Sequence, residues 1–281
     1  MHPLAIAVAL ISFALPAAGA CPKPETMVKL AADWQAKVPA TGLDPAMSMA
    51  DARCGQKLLL AELAKTQGKV VGYKAGLTNP AVQKRFGYDS PIRGTLFEKM
   101  LLADGAEVPA RFGTRPVFEA DLVVEVKDDG VNDARTPAEV LAHLSRIIPF
   151  IELPDGTLDP KETISGPVLV AMNAMARLGV LGQGFPPRPE HLDALVKMSV
   201  VVRDQEGKEL ARGPGSAILE HPLNVVIWLA KDLARDGKRL KAGDLLSLGT
   251  FSPLMPPRPG LAVTVTYEGL AANPTVGVKF K

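Results

Sequence analysis

The chain has 281 residues, 47% of them hydrophobic and 22% charged, with 32 Lys and Arg against 30 Asp and Glu for a formal net charge of +2. This apolar content excludes wholesale disorder, and a chain of this length buries a core in one large domain or two small ones. The basic residues are scattered, as at Lys231, Arg235, Lys238, Arg239 and Lys241, so no basic stripe points to nucleic acid.

At the N-terminus, Leu4 to Leu15 is an apolar run followed by Pro16 and the small-residue pattern Ala18-Gly19-Ala20. The run is shorter than the roughly 20 apolar residues that cross a bilayer. It fits a cleaved secretory signal over residues 1–20, which makes the protein periplasmic or secreted with no membrane span. Cleavage leaves Cys21 first; lipid anchoring there is the lesser alternative, because Ala18 stands where a larger apolar residue is expected. Cys21 and Cys54 are the only cysteines. In an oxidising compartment they either pair or remain two unrelated thiols, and neither has a His at zinc-ligand spacing.

Residues 24–65 show helical periodicity in two stretches separated by Gly42-Leu43-Asp44-Pro45. Lys69–Lys74 reads as a strand closed by Gly76 and Asn79-Pro80, and a Gly/Pro-punctuated segment runs from Phe86 to Pro116. The longest strand is expected over Val117–Val126, ending in Asp128-Asp129-Gly130, a hairpin-type turn signal. Thr136 and Pro137 mark a helix start, with the apolar pattern running on toward Ile148. Further strands are expected near Val168–Met172, Val196–Arg203 and Ala262–Tyr267, and one strong helix over Pro222–Arg235 with Gly237 just past its end. Strands outnumber helices, so the expectation is a mixed α+β fold with mainly antiparallel sheet. A helical and strand region at 21–115 and a β-rich region at 116–281 would form one compact unit.

The Val117–Val126 strand carries Glu119, Asp121 and Glu125. Side chains alternate along a strand, so the three acids share a face with neighbours about 7 Å apart. Such a face is either exposed to water or converges on a hard cation that relieves the repulsion. Ile147-Ile148-Pro149-Phe150-Ile151 runs straight into Glu152, and a carboxylate buried there needs a partner. Lys74 ends an apolar strand between Gly72 and Gly76. It is either a surface charge or a buried ammonium whose pKa burial lowers toward acid–base use.

These residues belong to a series of motifs. Gly72-Tyr73-Lys74-Ala75-Gly76-Leu77-Thr78, Gly94-Thr95-Leu96-Phe97, Phe118-Glu119-Ala120-Asp121, Ile151-Glu152, Glu220-His221-Pro222-Leu223-Asn224 with Trp228-Leu229-Ala230, and Ala242-Gly243-Asp244 follow in order. From about Ala50 to Phe280 the chain resembles the 2-keto-4-pentenoate hydratase and 4-oxalocrotonate decarboxylase branch of the fumarylacetoacetate hydrolase superfamily.

The resemblance implies the superfamily's β-rich α+β fold, a homo-oligomer, and Mg²⁺ or Mn²⁺ held by Glu119, Asp121 and Glu152, with Glu125 outside the set. It implies Lys74 as the acid–base residue and Asn173 and Thr250 near the substrate. The implied activity is a divalent-metal-dependent hydratase, a lyase acting on small 2-hydroxy-2,4-dienoates or other 2-oxo acids. A decarboxylase or C–C hydrolase on the same site is the nearest alternative, and an exported 2-oxo acid binding protein without turnover is the second. Two departures stand at positions expected to manage protons and substrate closure. Pro91-Ile92-Arg93-Gly94 offers Ile and Arg where an acid is usual, and Leu153-Pro154-Asp155-Gly156-Thr157 replaces a polar Ser-Arg stretch. His221 is expected to fill a turn, and Ser216 lacks the partners of a hydrolase nucleophile.

Overall fold

The computed structural model describes residues 20–281, and the apolar run at Leu4–Leu15 lies outside the described residues. Among the described residues no helix is long and apolar enough to cross a membrane. The helices are α1 (Pro24–Ala36), α2 (Met49–Gln67), α3 (Pro80–Arg85), α4 (Pro137–Ala142), α5 (Gly166–Ala171), α6 (His191–Lys197) and α7 (Asn224–Arg235). The strands are β1 (Val70–Gly76), β2 (Ile92–Phe97), β3 (Leu101–Ala103), β4 (Ala106–Val108), β5 (Glu119–Val126) and β6 (Leu144–Leu153). They continue with β7 (Leu178–Leu181), β8 (Ser199–Asp204), β9 (Glu209–Pro214), β10 (Leu245–Ser247), β11 (Ala262–Glu268) and β12 (Thr275–Phe280).

The first two helices form where the periodicity places them. Ser48 and Asp51 close a capping box at the start of α2, satisfying backbone donors that a helix N-terminus leaves open. Met27, Leu30 and Trp34 of α1 share a core with Leu59 and Leu63 of α2. Cys21 and Cys54 form a disulfide, with Cα atoms 5.5 Å apart, that fastens the start of α1 to α2.

Three local expectations are corrected. The Asp128-Asp129-Gly130 signal opens a 3₁₀ turn over Asp129–Asn132 followed by α4, instead of a tight hairpin. Thr136 caps α4 as expected, but the helix stops at Ala142 and the apolar residues beyond it belong to β6. A short apolar run buried on both faces does not declare its period, and here Ile147, Ile148 and Ile151 favour the strand. Val168–Met172 lies in α5 and its C-terminal end, because Ser165 accepts a hydrogen bond from the Val168 amide and sets a helix N-terminus.

The strands make a seven-stranded sheet in the order β2-β1-β10-β5-β6-β7-β3 and a five-stranded sheet in the order β4-β12-β11-β8-β9. Pairing is mainly antiparallel, the exceptions being β1 with β10, β3 with β7 and β4 with β12. Strands from before residue 116 pair with strands from after it in both sheets, so the two halves fold together. Tyr267 of β11 reaches across the core and hydrogen-bonds the backbone of Asp121 and Phe150. On the helical side, Val225, Val226, Leu229 and Leu233 of α7 are fully buried. His221 accepts a hydrogen bond from the Leu223 amide at 3.1 Å, the turn role expected of it.

The candidate active site

β5 is the middle strand of the larger sheet, and its burial runs through both faces. Glu119 is 7% exposed and Asp121 fully buried, which removes the solvent-face reading of these acids. Glu125 lies apart, paired with Arg146 on the neighbouring strand. Glu152 of β6 stands directly opposite Glu119 and is 2% exposed.

Lys74 arrives from β1, between Gly94 of β2 and Ser247 of β10. A flat sheet would hold β1 and β6 three strand spacings apart, about 14 Å. Yet the Lys74 ammonium donates to Glu152 and, at 3.0 Å, to the Ala174 carbonyl. The sheet therefore curls, and the curl gathers Lys74, Glu119, Asp121 and Glu152 on one inner face. Gly94 makes the approach feasible, because a Cβ there would lie 2.8 Å from both the Lys74 side chain and the Asn173 carbonyl.

Asp121 is held from behind. Its Oδ1 accepts from the amides of Leu122, Leu248 and Gly249, the last two at 3.2 and 2.9 Å, and its Oδ2 accepts from the Ser247 hydroxyl. Gly249 has φ +108°, and a Cβ would strike the Thr78 hydroxyl, so glycine is required to bring this amide in. Burial and then the Glu152 carboxylate push Asp121 up to about 8, against the hydrogen bonds from Ser247 and Leu122. The same two causes raise Glu119 well above the usual carboxylate range. Burial pulls the Lys74 ammonium down, but Glu152, Glu119 and Asp121 outweigh it and hold it above the ordinary lysine value. Burial alone would lower that value; the neighbouring acids reverse the shift.

Three buried carboxylates face one ammonium, so with all three ionised two negative charges would go uncompensated, and that repulsion is part of what raises Glu119 and Asp121. Among the described residues no three acidic, His or Cys side chains already stand in ligating geometry; Glu152 is bonded to Lys74, and Asp121 to backbone amides. Glu152 Oε2 nevertheless is buried without a hydrogen-bond partner, and such an orphan needs an explanation. An oxygen-only donor set that, once ionised, lacks two positive charges fits a hard divalent cation.

The site opens onto a cavity of about 340 Å³ lined by Lys74, Glu119, Thr78, Pro154 and Thr250, among others. Thr250 borders it, with its hydroxyl bonded to the Ser252 backbone. Asn173 does not line it. The Asn173 amide accepts from the Thr95 amide at 2.7 Å and donates to the Thr95 carbonyl at 2.9 Å, so its polar atoms serve β2. Asn173, Ala174 and Met175 have φ of 58°, 51° and 61°, a strained left-handed run for non-glycine residues. That run turns the Ala174 carbonyl onto Lys74.

Each departure in sequence sends one residue to the cavity, Ile92 and Pro154, and another away from it. Ile92 lines the cavity, while Arg93 points to the opposite face and pairs with Asp232 of α7 and with Asp236 just past its end. Asp155 is fully buried and pairs with Arg177 at 3.1 Å. Ser247 is the residue sequence reasoning missed. Its signal was a lone hydroxyl inside Leu245-Leu246-Ser247-Leu248.

No family model matches the chain. Named relatives do: the chain is 34% identical over 213 residues to 2-keto-4-pentenoate hydratase of Burkholderia vietnamiensis, covering 75% of this chain and 79% of that one. It is 30% identical over 230 residues to 4-oxalocrotonate decarboxylase of Pseudomonas putida, covering 81% and 85%. In structure it superposes on 4-oxalocrotonate decarboxylase from Pseudomonas putida complexed with magnesium and adipate. The TM-score is 0.78 at 27% identity, over 92% of this chain and 98% of the other. Fumarylpyruvate hydrolase from Pseudomonas aeruginosa shares the fold alone, at TM-score 0.53 and 14% identity over 74% of this chain and 89% of that one. The fold is that of the fumarylacetoacetate hydrolase superfamily. Within it, the chain belongs to the 2-keto-4-pentenoate hydratase and 4-oxalocrotonate decarboxylase family.

Proposed function

We propose that the protein is a divalent-metal-dependent lyase that adds water to small 2-hydroxy-2,4-dienoates. The observation that carries this reading is the cluster of three buried carboxylates around one lysine, with a cavity in front. Glu119, Asp121 and Glu152 would hold Mg²⁺ or Mn²⁺. When bound, such a cation supplies Lewis-acid polarisation of a 2-oxo acid. Ketonisation of the dienol releases the 2-hydroxyl proton and places one on C5, and Lys74, at the cavity, is the group to deliver that proton and take up the other. Water then adds at C4, and its proton ends on C3. Ala174 and Glu152 fix the Lys74 ammonium, and the apolar wall seats the conjugated chain.

Purified protein with Mg²⁺ should consume a 2-hydroxydienoate and lose its ultraviolet absorbance, with the 4-hydroxy-2-oxo acid as product. Consumption of a 4-oxalocrotonate with release of CO₂ instead would assign decarboxylation, the activity carried in the name of the 30%-identical relative. Binding without turnover of any of these would return the reading to a 2-oxo acid binding protein.

Export is part of the same proposal. It is supported by the apolar run Leu4–Leu15 with its Ala18-Gly19-Ala20 pattern and by the Cys21–Cys54 disulfide, a bond that persists in oxidising compartments. The intact mass of the native protein should correspond to a chain beginning at Cys21. A mass that retains Met1–Ala20 would overturn it.

A further inference from the structure

The cavity wall is largely apolar, formed by Leu77, Val82, Phe86, Ile92, Leu169 and Leu254. Its lining contains two cations, Lys74 and Arg85, and their circumstances differ. Lys74 is buried and neutralised by Glu152. Arg85, the last residue of α3, has no carboxylate in ion-pair distance among the described residues. Its guanidinium lies 5.8 Å from the centroid of the Phe86 ring, which borders the same cavity.

A guanidinium without a carboxylate partner on a largely apolar wall is placed to meet an anion in the cavity. It is planar, permanently charged, and offers paired N–H donors that match a carboxylate. The contact with Phe86 steadies it by a cation–π interaction. The acidic face cannot bind a free carboxylate by itself, so one end of the cavity accepts an anionic head only through a cation. Arg85 is the second place on the wall where an anion is stabilised.

We infer that Arg85 determines specificity by pairing with a second carboxylate, so that the substrate is a dicarboxylic 2-oxo or 2-hydroxydienoic acid. The inference rests on the proposed function for the position of the 2-oxo acid head, and it goes further by defining the far end. A monocarboxylate of the same length leaves Arg85 with water alone.

The test uses two six-carbon probes with the same head, 2-oxoadipate and 2-oxohexanoate, titrated calorimetrically into the full protein with saturating Mg²⁺. Wild type should bind 2-oxoadipate about 10-fold more tightly, the span of one charge-assisted hydrogen bond at a partly exposed site. Arg85→Met should erase that preference by weakening 2-oxoadipate while leaving 2-oxohexanoate unchanged. Arg85 is exposed at a helix end, so the fold does not depend on it. Equal affinities in wild type, or a preference that survives Arg85→Met, would overturn the inference while the 2-oxo acid reading stands. Failure of both probes to bind would overturn the reading of the head site, and the inference with it.

Discussion

Replacing Lys74 by Met lowers turnover of an accepted 2-hydroxydienoate by about 10²–10⁴-fold, the span of general acid–base catalysis. Met keeps the length of the side chain and removes the proton carrier. Lys74 is 3% exposed, its ammonium is fixed by Glu152 and Ala174, and its stem packs against Gly94. The substitution also leaves Glu152 without its counter-charge. Breaking a buried pair in this way costs about 3–5 kcal/mol, so denaturant midpoints fall in metal-free protein and recover when Mg²⁺ is added. Affinity for the cation rises, because the ammonium no longer competes for Glu152. Kinetics, calorimetry and unfolding on the same preparation check all three. Turnover close to wild type would remove Lys74 from the chemistry and leave the cation as its sole agent.

Binding of Mg²⁺ or Mn²⁺ disappears in the Glu119→Gln/Asp121→Asn variant at concentrations that saturate wild type. The double change removes two of the three carboxylates, and the remaining Glu152 is already paired with Lys74. The amides keep the shapes of the side chains. At position 121 the new carboxamide oxygen still accepts from the Leu248 and Gly249 amides, and its NH₂ group can donate to the Ser247 hydroxyl, which rotates to accept. Burial and mutual repulsion already hold Glu119 and Asp121 above the carboxylate range, so neutral replacements remove a folding penalty. Metal-free stability is therefore equal to or above that of wild type. Loss of binding with the fold retained is what calorimetric titration and a thermal melt should show together. Unchanged cation affinity would reject these residues as ligands.

The acids and the lysine were legible because each violates its local context. Glu119 and Asp121 interrupt a strand, Glu152 ends an apolar run, and Lys74 ends another between glycines. The curl that unites them was not legible, since it depends on β1 and β6 meeting across two intervening strands. The partner of Asn173 was not legible for a related reason. Its amide is taken by the backbone of Thr95, 78 residues earlier, and no local pattern announces such a bracket. Sequence periodicity also failed at Val168 and beyond Ala142, where short apolar runs buried on every side carry no period. Arg93 looked like a change in the chemistry because it follows Ile92, which does line the cavity. Alternation along the strand sends the next side chain to the other face, where it meets α7.

The Cys21–Cys54 bridge bears on the order in which the chain assembles. It closes a loop with a sequence separation of 33, and that loop holds all of α1 and the first residues of α2. Closing so short a loop loses little chain entropy. The sheets are the opposite case: Gly72 in β1 finds its partner at Leu245, and such distant pairings are slow to form. Once oxidised, α1 and α2 are a tethered pair before any long-range strand contact exists. Met27, Leu30, Trp34, Leu59 and Leu63 share their core with Ile92 and Phe97 of β2, so the tethered pair is completed only when that strand is in place.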